Sequence, residues 1–208
     1  MSDKFQDKYR ISSARLKNWD YGSNAIYFVT ICTQNREHYF GNIADGKMEL
    51  SETGKIAQHF WIEIPTHFPF VKLGEFVVMP NHVHGIIIID KHIDTINDSI
   101  GDDRCDAIVE TQNFASLPQN PTSSKNPTPQ QTHGNIFGPQ SQNLASIIRG
   151  FKIGVTKFAR NNHIPFSWQS RFHDHIIRNQ ESFRRISNYI INNPVNWQDD
   201  KFFVNNCE

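Results

Sequence analysis

Apolar positions run in short unbroken blocks through the first ninety residues and recur at helical spacing after residue 143, with a polar tract between. Ala25-Ile26-Tyr27-Phe28-Val29-Thr30-Ile31-Cys32-Thr33, rich in β-branched and aromatic residues and closed by Gln34-Asn35-Arg36, predicts a central strand. His38–Gly41 and Met48–Leu50 predict short edge segments around an Asp45-Gly46 turn. Ser51 is a plausible cap for a helix through about Glu63, with Ile56, Phe60 and Ile64 on its buried face and Pro65 ending it. Two further strands follow, one from Phe70 to Met79 and one beginning at His82, joined by a turn at Pro80-Asn81. Beyond the polar tract, Leu144, Ile147, Ile148, Phe151, Val155 and Phe158 mark one stripe of a helix that Asn161-Asn162 and Pro165 terminate. Phe172 to Arg178 alternates like a strand, and a last helix runs from about Glu181 to Asn192 before Pro194.

The pattern divides the chain into an amino-terminal arm (1–24) with little structure, one domain (25–200), and a short tail (201–208). Residues 91–142 interrupt the domain as a long polar insertion, where Asn, Gln, Ser, Thr and Pro dominate and no core can form. A chain of 208 residues can bury a substantial core in one such domain. No apolar run reaches the roughly eighteen residues of a membrane span, and no basic-then-apolar leader is visible, so the expected setting is cytoplasmic, with no membrane partner. Cys32, Cys105 and Cys207 are odd in number and far apart, which argues against a disulfide framework.

Basic and acidic residues balance at 21 each, but they are not evenly spread. Between 143 and 189, eight basic residues (Arg149, Lys152, Lys157, Arg160, Arg171, Arg178, Arg184 and Arg185) face only Asp174 and Glu181. Such an excess suits a phosphate backbone, although a solvated helix face would look alike.

The chemistry concentrates in Met79-Pro80-Asn81-His82-Val83-His84. Side chains two apart on a strand share a face, so both imidazoles converge on one volume while Val83 anchors the strand from behind. Neutral imidazoles so placed suit a divalent metal, the alternative being two histidines held only by hydrogen bonds. On the last helix, Phe183, Ile186 and Ile190 form the buried stripe, with Tyr189 at its edge and Asn193, one turn on, within it. Helix geometry alone is better served by a core-edge tyrosine and a helix-terminal asparagine. His173 and His175 form a second same-face pair, either a rival metal site or a contact near the first.

Taken jointly, the histidine pair, the basic helix from Ile147 to Phe158, Trp168-Gln169 followed by Phe172-His173-Asp174-His175-Ile176-Ile177-Arg178, and Tyr189-Ile190-Ile191-Asn192-Asn193-Pro194-Val195 closely resemble the REP-associated tyrosine transposases of the single-tyrosine HUH transposase superfamily. The resemblance covers roughly residues 9–90 and 143–200; the insertion departs from the compact pattern. It implies an α/β (α+β) domain of ferredoxin-like type, an antiparallel sheet with helices packed on it. It implies His82, His84 and Asn193 as ligands of Mg²⁺ or Mn²⁺ and Tyr189 as the nucleophile of a transposase, a DNA strand-transferring endonuclease working through a 5′-phosphotyrosine intermediate. The implied substrate is single-stranded DNA with hairpin structure, its backbone held by Arg149, Lys152, Lys157, Arg178, Arg184 and Arg185 and a base stacked on Trp168 or Phe172, although aromatics so placed are more often part of the core. Monomers with complete sites and homodimers sharing them are both compatible with this pattern. Two rivals remain: a water-using metal hydrolase, which requires further acidic ligands, and a DNA-binding regulator of the same fold without catalysis.

Overall fold

The structure is a computed structural model that describes residues 4, 5, 8, 9, 16, 18–91 and 141–203. Apart from Lys91, Ser141 and Gln142, the polar insertion lies outside the described residues, as does the tail beyond Phe203. The arm, expected to carry little structure, contains a minimal antiparallel pair, β1 (Lys4–Phe5) with β2 (Lys8–Tyr9).

The elements that follow are β3 (Ala25–Cys32), β4 (Gly41–Ala44), β5 (Lys47–Leu50), α1 (Glu52–Ile62), α2 (Ile64–His67), β6 (Val71–Met79), β7 (His82–Ile89), α3 (Leu144–Asn161), β8 (His173–Ile177) and α4 (Gln180–Asn192). The main sheet has the order β6-β7-β3-β8 and every pairing in it is antiparallel. With β4 and β5 set aside, β3-α1-β6-β7-α3-β8 is the βαββαβ succession of a ferredoxin-like sheet, and the expected fold class holds. The apolar runs of β3 and β7 occupy the two central positions, where both faces are covered, as their composition requires.

Alternation assigns the two faces. Tyr27, Val29 and Ile31 of β3 and Val83, Ile87 and Ile89 of β7 point into the larger core, roofed by α1 and α3 through Ala57, Trp61, Leu144, Ile147, Ile148, Phe151 and Val155. Gly85 lies on this face because the Trp61 ring leaves no room there: a Cβ at Gly85 would collide with it. On the other face Ile26, Phe28, Ile86, Ile88 and Ile177 pack under α4 through Phe183, Ile186 and Ile190, the expected stripe.

Three local expectations shift. Helix α1 is capped by Ser51, whose hydroxyl accepts from Gly54 N at 3.0 Å, but its fully buried line is Thr53, Ala57 and Trp61, leaving Ile56 and Phe60 half-buried. Pro65 starts a second short helix, where its missing N–H costs nothing, as well as ending the first. The edge segments form a hairpin from Gly41 to Leu50, with Asp45 (φ 50°) and Gly46 (φ 70°) in the left-handed conformation that a tight Asp-Gly turn requires, and His38 lies outside it.

Candidate active site

The site begins with the register of β7 against β3. His82 pairs with Cys32 and His84 with Thr30, so both imidazoles emerge on the α4 face at one end of the sheet. Their rings meet at 4.3 Å between centroids, and each residue is at most 1% exposed. Each Nδ1 is taken by a neighbour: Asn81 Oδ1 lies 2.8 Å from His82 Nδ1, and Thr30 Oγ1 lies 2.9 Å from His84 Nδ1. Both Nε2 atoms therefore face the same space. His84 Nε2 lies 3.1 Å from the Tyr189 hydroxyl, whereas His82 Nε2 is buried with no hydrogen-bond partner.

Helix α4 brings Tyr189 and Asn193 to these rings from above, one turn apart, because Ile186 and Ile190 anchor the adjoining stripe of the same face on the sheet. The two converge on one carboxylate. The Tyr189 hydroxyl donates to Asp200 Oδ2 at 3.0 Å, and Asn193 Nδ2 donates to the same oxygen at 2.8 Å. Asn193 Oδ1 is buried without a partner. Asp200 reaches back because the chain turns through a 3₁₀ segment at Trp197–Asp199, and Phe202 N then donates to Asp200 Oδ1 at 2.7 Å. Asn81 Nδ2 donates to Phe202 O at 2.8 Å, and the Phe202 ring lies 4.6 Å from that of His82.

Burial disfavours charge throughout this volume. His82 falls well below the usual histidine range, through burial and then through its neighbour His84 and the cations Lys201 and Arg36. Burial pushes His84 down to about 3 against the upward pull of Asp200. Tyr189 moves up, first through burial and then through the charge of Asp200 and the hydrogen bond to it. Both imidazoles are thus neutral at pH 7, the state in which they ligate metals.

Ligand atoms of His82, His84 and Asp200 all lie within 4.8 Å of one another. Two imidazole nitrogens, a carboxylate and an unpaired amide oxygen form a donor set suited to a divalent cation, and the orphaned His82 Nε2 is the atom such an ion would satisfy. Asp200 was not among the residues the sequence singled out. It sits in the aperiodic stretch Asn196-Trp197-Gln198-Asp199-Asp200, where no spacing links it to the histidines and only the presence of acid after Tyr189 hints at it. His173 and His175 are exposed on the edge strand β8, on the face of His84, and join no such ligand group among the described residues.

The basic residues occupy two surfaces. Arg149, Lys157, Arg160 and Arg171 line a cavity of about 800 Å³ beside α3, which packs on the sheet face opposite Tyr189. Lys152 also lines it, but its ammonium donates to Gln169 O at 2.8 Å and Arg171 O at 2.6 Å and lies 5.5 Å from the Trp168 ring centre, so it holds the 169–171 loop; burial lowers its pKa to about 8. Trp168 donates to Lys152 O at 3.2 Å and packs against Phe40, Phe151 and Phe166. Arg178 precedes α4 and Arg184 and Arg185 lie on it, all exposed on the same element as the tyrosine or next to it.

Among the described residues no helix is long and apolar enough to cross a membrane. No family model matches the chain. An uncharacterized protein of Haemophilus influenzae is 37% identical over 193 residues, which cover 92% of each chain. Among solved structures, a REP-associated tyrosine transposase bound to a REP hairpin aligns with a TM-score of 0.51 and 18% identity, over 92% of this chain and 77% of that one. An identity that low speaks for the fold alone. The chain belongs to one family with the Haemophilus influenzae protein, on the fold that it shares with the REP-associated tyrosine transposase.

Proposed function

We propose that this protein is a metal-dependent DNA strand-transferring enzyme of the tyrosine HUH transposase type, cutting and rejoining single-stranded DNA beside a hairpin. The observation that carries this reading is the 3.1 Å approach of the Tyr189 hydroxyl to His84 Nε2, beside a buried His82 Nε2 that no protein group satisfies. The resemblance of the histidine and tyrosine motifs supports it, as does the shared fold with a protein solved on hairpin DNA.

His82 Nε2 and His84 Nε2 would hold Mg²⁺ or Mn²⁺, with oxygen from Asn193 Oδ1 or the Asp200 carboxylate. When bound, the ion supplies Lewis-acid polarisation of the scissile phosphate and offsets the charge that builds on it. Asn81 and Thr30 fix both rings by their Nδ1 atoms, which keeps the Nε2 atoms directed into the site. Tyr189 needs help to react, since burial and the Asp200 charge both keep its proton on. Asp200, already accepting from the hydroxyl, is placed to take that proton as the tyrosine oxygen bonds to phosphorus. The bond from phosphorus to the 3′ oxygen breaks, and that oxygen leaves as a free 3′-hydroxyl by taking up a proton from water, while Asp200 releases the one it accepted. The enzyme retains the 5′-phosphate as a phosphotyrosine, and attack by a 3′-hydroxyl reverses the step without external energy. Arg184 and Arg185 lie on the helix that carries the tyrosine and suit the phosphates next to the cut, while the groove of Arg149, Lys157, Arg160 and Arg171 suits more distant backbone.

The test is incubation of the protein with labelled hairpin DNA carrying single-stranded flanks, with Mn²⁺ or Mg²⁺. The expected result is a protein–DNA band that survives denaturant, requires the ion and is lost in Tyr189→Phe. Binding without linkage would favour a DNA-binding regulator, and cleavage that persists in Tyr189→Phe would favour a water-using metallonuclease.

A further inference from the structure

Strand β3 ends in a turn of uncommon backbone conformation. Asn35 (φ 53°) and Arg36 (φ 59°), within the short segment Gln34–Arg36, both take the left-handed conformation. Asparagine visits that region readily, but an arginine there is rare and costs conformational energy that a glycine would avoid. The turn is fixed from several sides. Thr33 N donates to Asn81 O at 2.9 Å, Gln34 N to Ser167 O at 2.9 Å and Glu37 N to Gln34 O at 3.1 Å. A strained residue held in place by its surroundings points to a use for the side chain it presents.

That side chain lies at the end of the histidine site. The Arg36 guanidinium donates to Lys201 O at 2.9 Å and stands 5.1 Å from the Phe202 ring centre, and the Lys201 ammonium stands 4.8 Å from the same centre. The Phe202 ring is in turn 4.6 Å from that of His82 and 5.8 Å from that of His84. Asn81 ties the two arrangements together, because its oxygen lies at His82 Nδ1 and its nitrogen donates to Phe202 O. Arg36 and Lys201 are both exposed, and among the described residues neither forms an ion pair. Both cations are therefore open to an anion beside His82, on which their charges already act.

We propose that Arg36 and Lys201 hold the leaving strand by the phosphate immediately 5′ of the cleaved one, and so keep the freed 3′-hydroxyl in place for rejoining. The proposal rests on the strand-transfer reading above and deepens it. Attacking and leaving oxygens stand roughly in line through phosphorus. Tyr189 approaches at His84 Nε2, 3.1 Å away, so the leaving oxygen points to the opposite side, where His82, Phe202 and the two cations lie. The strand that stays on the tyrosine runs the other way, along α4 with Arg184 and Arg185. A guanidinium suits this task because its planar fork offers several donors, of which Lys201 O engages only some. A 3′-hydroxyl held beside the linkage rejoins as an intramolecular partner rather than by diffusion.

The test places a single uncharged methylphosphonate in the hairpin substrate. Reaction of the wild type with unmodified DNA in Mn²⁺ first maps the linked nucleotide, and hence the cut. The substitution is then made one phosphate 5′ of the cut, on the leaving side, or one phosphate 3′ of it, on the retained side. Affinity of the full chain is measured with a chelator present, so that no cleavage step contributes. The wild type is expected to lose about tenfold in affinity on leaving-side substitution, the weight of a charge-assisted hydrogen bond. Arg36→Gly and Lys201→Ala should each bind unmodified DNA about tenfold more weakly and lose less than about twofold further on leaving-side substitution, with the retained-side loss unchanged. Arg36→Gly relieves the positive φ, so its melting temperature should match or exceed that of the wild type, and Lys201→Ala leaves the turn untouched. Undiminished leaving-side sensitivity in both variants, or none in the wild type, would overturn the proposal while linkage through Tyr189 stands. Absence of any linked product on unmodified DNA would instead remove the strand-transfer reading, and this proposal with it.

Discussion

The two faces of β7 are made by alternate residues of a single strand and share almost no chemistry. Val83, Gly85, Ile87 and Ile89 meet Trp61 and the helices α1 and α3 in a core of aliphatic and aromatic side chains. His82 and His84, one residue out of step, meet Tyr189, Asn193 and Asp200, where buried polar atoms remain unpaired. The first face is closed by apolar packing, and the second leaves polar atoms without partners. The difference shows how a small sheet supports a polar site: the apolar face supplies the stability that lets the other face hold buried neutral histidines and an unsatisfied nitrogen.

The largest effect that would separate the faces is Trp61→Ala. Removing a fully buried indole should cost about 3–5 kcal/mol of unfolding free energy in a denaturant titration. Tyr189→Phe, 41% exposed on the other face, should change stability by less than about 1 kcal/mol while abolishing covalent linkage. Equal losses for both variants would dissolve the distinction.

Protonation comes next in size. His84 is held at about 3 in the folded chain and returns to about 6.5 when unfolded, so the unfolded state binds the extra proton between those values. Stability is therefore complete above about pH 6.5 and falls as the pH drops through the window below it. His84 alone should remove about 2 kcal/mol between pH 7 and 5 in chelator, with a further loss in the same direction from His82. His84→Gln should flatten that slope; a slope unchanged by the substitution would mean that the ring is not buried in neutral form.

Asn81→Ala tests whether ring orientation matters to the site rather than to the core. It removes the partner of His82 Nδ1 and the donor to Phe202 O, and Mn²⁺ affinity by calorimetry should weaken about 10- to 100-fold. The smallest effect separates two lysines on α3. Lys157→Ala should weaken DNA binding and reduce the slope of log affinity against log salt by about one phosphate contact, whereas Lys152→Ala should act mainly on thermal stability, by releasing the carbonyls of Gln169 and Arg171.

What the sequence disclosed follows periodicity. The four strands of the main sheet and the helices α3 and α4 were legible because their apolar positions repeat at two or at 3.6 residues, and the shared face of His82 and His84 follows from the same rule. The buried line of α1 was only partly legible because Ile56, Phe60 and Ile64 and the set Thr53, Ala57 and Trp61 both have helical spacing: Ile64 is buried as expected and Phe60 packs at the core margin, but the deepest side chain is that of Trp61, whose ring lies against Gly85. Asp200 was invisible for a different reason. It joins the site through a chain reversal after α4 that no repeat announces, and its meaning comes from the oxygen it shares with Tyr189 and Asn193. The tyrosine and asparagine were each readable one turn apart on a helix, but not the carboxylate on which they converge.

The central claim is that the hydroxyl of Tyr189 becomes bonded to DNA phosphorus at this site. The most direct measurement is mass spectrometry of the peptide that remains attached to DNA after reaction with a hairpin substrate in Mn²⁺. The account predicts a nucleotide on the peptide that contains Tyr189, absent when the ion is chelated and absent in His82→Ala. Attachment at another residue, or strand cleavage with no attached peptide, would contradict it.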